Sequence, residues 1–225
     1  VAFEVMYDTT VFVEATIHSV VKTLIEAFVL VAIVVFLFLG SIRATLIPII
    51  AVPVALIGTF AVMQMMGFSL NTVSLLALVL AIGIVVDDAI VVVEAVEHML
   101  EKEPHLTPAE ATEKAMSEVT GPIIAITLVL LSVFIPTAFM PGIAGKLYQQ
   151  FALTISVAMV ISAINALSLS PALCALLLVR RGAPRGLMAR IQRGLDATRN
   201  GYLKLASPLI RRSVLAVGLV ALFAL

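Results

Sequence analysis

Charge is scarce in this 225-residue chain. Only 12% of its residues are Asp, Glu, Lys or Arg and 62% are hydrophobic, against roughly 25% and 45–50% in an ordinary soluble domain. That imbalance excludes a soluble globular domain and marks a membrane protein by composition. Cysteine is scarcer still. Cys174 is the only one and lies inside an apolar segment, so no disulfide framework or cysteine metal site can be built from this chain, and it reads as a small core residue. The N-terminal VAFEVMYDTT carries acids where a signal peptide carries basic residues, so no cleavable signal pattern opens the chain. Its first residue is Val and its last apolar run stops without a cap or flanking charge, so the sequence reads as a fragment cut at both ends. Alternating polarity is also missing. Nothing alternates over the ~10 residues of a barrel strand, which leaves helices as the spanning structure.

What is present is a set of long apolar runs. Five of them, at about 20–39, 46–66, 73–96, 122–140 and 151–179, reach the ~20 helical residues that a hydrocarbon core requires. A sixth starts at residue 213. The predicted fold is all-α, a polytopic transmembrane helix bundle with five complete spans and the start of another. Residues 1–19 form a periplasmic lead-in and the start of an amphipathic helix, 20–179 the bundle, 180–212 a basic cytoplasmic surface helix and linker, and 213–225 the truncated next span. Gly40-Ser41, Gly67, Gly121-Pro122, Pro141-Gly142 and residues 180–184 punctuate the runs. Pro48, Pro53, Pro136 and Pro171 fall within spans, where each removes a backbone donor and kinks its helix unless neighbours compensate.

Ahead of the first span, Glu14, His18, Lys22 and Glu26 recur every four residues. This spacing predicts a solvated polar stripe and gives His18 no proton-carrying role. Orientation follows from the basic residues. With alternating spans, one side collects residues 40–45, 97–121 and 180–212, which hold twelve Lys and Arg, and the loops opposite hold only Lys146. The basic side is cytoplasmic by the positive-inside rule. Residues 184–213 place Leu187, Ile191 and Leu195 at helical spacing among Arg185, Arg190, Arg193 and Arg199. The expected partner there is membrane lipid; with no nucleic-acid module around these arginines, nucleic acid is not expected.

The costly residues are Asp87 and Asp88, in GIVVDDAIVVVEAVE. Asp87 lies ~21 Å along the third span, inside the slab. Two ionised aspartates there cost about 5–7 kcal/mol on insertion scales, before their mutual repulsion. Adjacent helical positions project ~100° apart, so each acid faces a different neighbour. Ala81, Asp88 and Ala95 form one stripe of mostly small residues and Gly83 with Asp87 a second, so partner helices can approach closely and the pair is expected inside a bundle. No cation lies within the spans: Lys22 and Lys146 stand at membrane ends and the other basic residues in loops. Without a cation, desolvation and repulsion favour uptake of a proton. With one supplied by other sequence, protonation releases it. Either way Asp87 and Asp88 form a proton-operated switch. The bland alternative is a neutral pair bonded to Asn71, Ser74, Thr127, Ser132, Thr154, Ser156, Ser162 or Asn165.

Other uses of paired acids fit less well. An intramembrane aspartyl protease needs aspartates on two helices, and Asp8 lies outside any span. A prenyl-transferring enzyme needs acids three or four residues apart to hold magnesium, but positions 90 to 92 are Ile, Val and Val. A cation channel leaves the acidic 97–121 segment and the surface helix without a role.

These same residues carry a resemblance. VLAIGIVVDDAIVVVEAVE, with YDTT upstream, FLFLGSIRATLIPIIAVPVALIGTFAVM, GFSLNT before the acids and SPALCALLL in the fifth span, closely resembles the resistance-nodulation-division (RND) efflux permeases, most of all their hydrophobe/amphiphile multidrug branch. The match runs from about Tyr7 to Leu225. It implies spans two to six of the first half of a twelve-span, two-repeat protein, with large periplasmic substrate-binding loops elsewhere. It further implies a homotrimer in the bacterial inner membrane that works with a periplasmic adaptor and an outer-membrane channel. The resemblance places a proton relay on Asp87 and Asp88, paired with a lysine from the second half, and drives antiport of hydrophobic or amphiphilic compounds with no covalent step, no metal and no cofactor. Heavy-metal exporters of the superfamily are the nearest alternative, with lipid exporters also open. The metal exporters generally lack the paired aspartates, and Met63, Met65 and Met66 read as filler.

Overall fold

The computed structural model describes residues 9–68, 71–179, 194 and 201–204. The chain divides into two compact units, residues 1–180 and 181–225. In the second, residues 194 and 201–204 are helical. Asp8, most of the basic surface segment and the run from residue 213 lie outside the described residues.

The first unit is a helix bundle: α1 Thr9–Leu39, α2 Ile42–Met65, α3 Thr72–Lys102, α4 Pro108–Thr137, α5 Gly142–Leu167 and α6 Leu169–Leu177. Five helical segments are long and apolar enough to cross a membrane, with α5 and α6 together supplying the fifth. The first unit is therefore the polytopic bundle expected from the apolar runs.

Capping chemistry fixes where these helices begin. Asn71 accepts from the Ser74 amide at 2.8 Å while the Ser74 hydroxyl accepts from the Asn71 amide at 2.9 Å. That reciprocal box satisfies two donors that the first turn of α3 would otherwise leave free. Thr107 and Glu110 make the same exchange at the start of α4, with Pro108 in the first turn. Between α1 and α2 the chain reverses through Gly40, whose φ of 63° suits a residue without Cβ.

The segment 97–121, read from sequence as a loop, is mostly helical. α3 continues past the apolar run to Lys102, five residues turn, and α4 starts at Pro108 and passes through Gly121-Pro122. Falling hydropathy marks where a helix leaves the bilayer, whereas its end requires a cap. At 31 residues α3 is ~46 Å long against a ~30 Å core, so it and α4 project beyond the slab as a helical hairpin.

Proline acts unequally. Pro48 and Pro53 stay within α2, and Pro122 and Pro136 within α4. Pro171 coincides with a break: it has no N–H for the Leu167 carbonyl and its ring crowds that oxygen, and the backbone departs from helix at Ser168 (φ −127°, ψ −66°) before α6 resumes.

α3 and α5 run parallel at the centre, and α3 touches every other helix of the unit. Ala77, Leu78, Ala81 and Val85 of α3 are buried, as are Ala152, Ile155, Ala158 and Met159 of α5. Small residues dominate because helices in lipid associate through close packing rather than through escape from water. At Gly58 of α2 a Cβ would lie 3.2 Å from the Ile161 side chain of α5, which shows how near those two helices come.

Candidate functional site

The two acids leave α3 in different directions, as their 100° offset requires. Asp88 is half-buried and turned towards α5, where its Oδ2 accepts a hydrogen bond from the Ser162 hydroxyl at 2.5 Å. Ser162 is itself buried. Asp87 is exposed, on the same stripe as the exposed Gly83. The pair borders an open recess of about 290 Å³ lined by Gly83, Asp87, Asp88 and Ile90 of α3 with Ile126 and Leu130 of α4.

The expectation that both acids lie inside the bundle therefore holds in part. Asp88 is packed against a neighbour, but no helix among the described residues covers the Gly83–Asp87 stripe. That stripe continues as exposed Leu76 and Leu80 towards the start of α3 and as Glu94 and His98 towards its end. An acid in the middle of an apolar helix face is costly against lipid. The open stripe thus has the character of a helix contact left without its other half.

No ion pair among the described residues reaches either acid. Lys22 pairs with Glu26 at 3.8 Å on the exposed stripe of α1, where His18 is also exposed, and Glu103 pairs with Lys114 and His105 at the α3–α4 turn. Nor do the described residues hold a cluster of three or more His, Cys, Asp or Glu able to bind a metal. Met63 is buried whereas Met65 and Met66 are exposed, so the three methionines do not converge on one site. Cys174 is a buried core residue.

Of the eight polar partners that sequence offered, one reaches the acids. Thr127 and Thr154 return their hydroxyls to carbonyls of their own helices, as does Ser132. Asn71 and Ser74 are consumed in the α3 cap, and Asn165 reaches the Ala51 carbonyl of α2 at 3.5 Å. The buried Ser156 hydroxyl has no hydrogen-bond partner among the described residues. What sequence reading missed is the second polar tie between α3 and α5. Asn71 Nδ2, at the cap of α3, donates to Gln150 Oε1, two turns inside α5. Depth was the available signal for the first contact only. Asp88 and Ser162 lie 16 and 20 residues into parallel helices, while Asn71 caps α3 and Gln150 lies 8 residues into α5.

The family model for AcrB/AcrD/AcrF matches residues 1–225. Among curated proteins, the chain is 56% identical over 172 residues to the multidrug export protein AcrF of Escherichia coli (strain K12), covering 76% of this chain and 16% of AcrF. It is 50% identical over 180 residues to the multidrug resistance protein MdtF of the same strain, covering 80% and 17%. To the toluene efflux pump membrane transporter TtgB of Pseudomonas putida it is 44% identical over 232 aligned positions, covering 97% and 22%. The chain thus spans about a fifth of the length of these relatives.

Proposed function

The chain belongs to the AcrB/AcrD/AcrF family, and from that premise we propose that it is part of a proton-driven efflux transporter of the inner membrane that exports drugs or other hydrophobic and amphiphilic compounds. Asp87 and Asp88 are the acidic half of its proton relay. The supporting observation is their arrangement: a half-buried acid held by Ser162 beside an exposed acid on an open recess, both at membrane depth on the central helix. A proton that reaches the pair from the periplasm neutralises a carboxylate, and the helices around it repack. That movement passes to substrate-binding parts of the protein outside these residues. The step is conformational and forms no covalent bond. One proton crossing 100 mV supplies about 2.3 kcal/mol, more than the ~1.4 kcal/mol of a tenfold population bias.

The remaining sequence supplies what the site lacks. A cation, a lysine on the reading of the resemblance, docks against the Gly83–Asp87 stripe, and the assembly is a homotrimer that works with an adaptor and an outer-membrane channel. The names of the relatives, which include drug and toluene pumps, support cargo that is apolar or amphiphilic rather than a metal ion or lipid. In the whole protein, Asp87→Asn and Asp88→Asn should each abolish drug export from cells and drug-dependent proton flux in proteoliposomes while leaving expression and assembly intact. Undiminished export by both single variants would remove the relay from these residues. Export of Zn²⁺ or of labelled lipid in the same vesicles, with no drug flux, would reassign the cargo.

A further inference from the structure

Hydroxyls in this bundle follow a habit, and Ser162 departs from it. Thr45, Thr59, Thr112, Thr120, Thr127 and Thr154 each donate to the carbonyl four residues earlier in their own helix. This is the ordinary local choice for a hydroxyl in an apolar helix. Ser162 instead leaves α5 and donates to Asp88 of α3. Its alternative acceptor, the Ala158 carbonyl one turn back, belongs to its own backbone. A serine hydroxyl needs only to rotate about one bond to exchange the two acceptors.

We propose that Ser162 is the positioning residue that transmits the protonation state of Asp88 to α5, with the Asn71–Gln150 tie acting as the fixed point of the helix pair. This rests on the proton-relay reading above. An ionised Asp88 is a strong acceptor and holds the hydroxyl across the helix gap. A protonated Asp88 is a weaker acceptor, so the hydroxyl returns to Ala158 and the middle of α5 is released from α3. The two helices stay joined at the Asn71–Gln150 contact, two turns inside α5, because neither residue carries a titratable group. Protonation therefore swings the part of α5 beyond Gln150, and α6 after it, about that contact.

Few other charges act on this contact. Among the described residues, Asp87 is the only charged neighbour that bears on Asp88. α5 carries only Lys146, near its start, and α2 only Arg43, in its first turn. α1 has no charged residue after Glu26, and α4 has none after Glu118. The Asp88–Ser162 bond is thus controlled by the proton occupancy of the acid pair and by whatever cation pairs with it.

The test uses the whole protein in proteoliposomes, in a cysteine-free background, with spin labels at Glu101 of α3, past the apolar run, and Ile164 of α5, both exposed among the described residues. Between about pH 7.5 and about pH 5.5 the distance should change by ~1–2 Å, the scale of helix shifts in switching proteins. Ser162→Ala should abolish the change and lower drug export, and Ser162→Gly, a second variant without the hydroxyl, should do the same. Ser162→Thr, which keeps a hydroxyl, should restore both. A full pH-driven change in Ser162→Ala or Ser162→Gly, together with its loss in Asp88→Asn, overturns the role of Ser162 and leaves the relay standing. A full change in Asp88→Asn itself, with normal export, overturns the relay as well.

Discussion

α1 and the α5–α6 segment reverse the relation between hydropathy and burial expected of a soluble protein. The apolar window of α1 has a mean hydropathy of 2.6 and is 6% buried, whereas that of α5–α6 averages 2.0 and is 56% buried. The less apolar helix lies inside. α3 and α4 show the opposite order, at 50% and 11% buried with hydropathies of 2.7 and 2.3, so hydropathy does not sort inside from outside in either direction. What separates centre from periphery is side-chain size and polarity. α3 and α5 bury Ala77, Ala81, Ala89, Ala152, Ala158 and Ala166 together with Ser162, while α1 and α4 expose Leu30, Ile33, Leu128 and Val129. In lipid a large apolar side chain gains little by leaving the surface, whereas a small one lets a backbone approach and a polar one finds a partner. Of the residues that α4 buries, Ala111, Thr112 and Ala115 fall in its first turns, ahead of the apolar run, where water again drives burial, and Ile123 alone lies at the start of that run.

The comparison breaks most directly if the same substitution is made on both sides of it. Ala81→Leu in α3 inserts three heavy atoms into a fully buried position and should cost about 1–3 kcal/mol. Ala125→Leu on the exposed face of α4 should stay within about 0.5 kcal/mol. Unfolding of the purified whole protein in mixed micelles measures both. Equal losses would mean that a part of the protein beyond these residues packs on α4 as closely as α5 packs on α3.

A smaller effect sharpens the centre itself. Asn71→Ala removes the α3 cap and the tie to Gln150 together, so it should cost about 1 kcal/mol or more. Gln150→Ala removes the tie alone, and interhelical hydrogen bonds in membranes average only ~0.6 kcal/mol. The same unfolding assay should therefore rank Asn71→Ala above Gln150→Ala. The reverse order would make the tie, rather than the cap, the main contribution of this end.

The division between centre and periphery also explains how far the sequence could be read. Apolar run length and Gly/Pro punctuation are one-dimensional properties, and they located five spanning helices and the acid pair. They could not say that α3 and α5 are neighbours, because no periodicity in either helix encodes its partner. So Ser162 stood among eight equivalent candidates until the helices were packed, and Asp87 was assigned an interior place that only further chain can provide. The α3–α4 hairpin was lost for another reason: a hydropathy window ends where charge begins, though Glu97, Glu101 and Lys102 are good helix formers. The cap that starts α4 at Thr107 was in the sequence, in TPAE, and was the better guide.

That hairpin carries the smallest predicted effect, and the one with a defined pH window. Glu103 closes α3, and its carboxyl is held below the ordinary value of 4.5, chiefly by the hydrogen bond from Lys114 and then by the nearby charges of Lys114, His105 and Lys102. A depressed carboxyl contributes stability that is fully present above its unfolded value and is lost as pH falls through its folded one. The contact between the end of α3 and the first turns of α4 should therefore be intact at neutral pH and weaken below about pH 4.5. Hydrogen exchange of the 99–114 amides in the whole protein should show faster opening at about pH 3.5 than a pH-corrected intrinsic rate explains. Lys114→Met should remove most of that difference while leaving the amides around Asp88 unchanged. If the acid-dependent opening survives Lys114→Met, the hairpin is held by its capping box and apolar contacts, and its ion pair is only a solvated decoration of the surface.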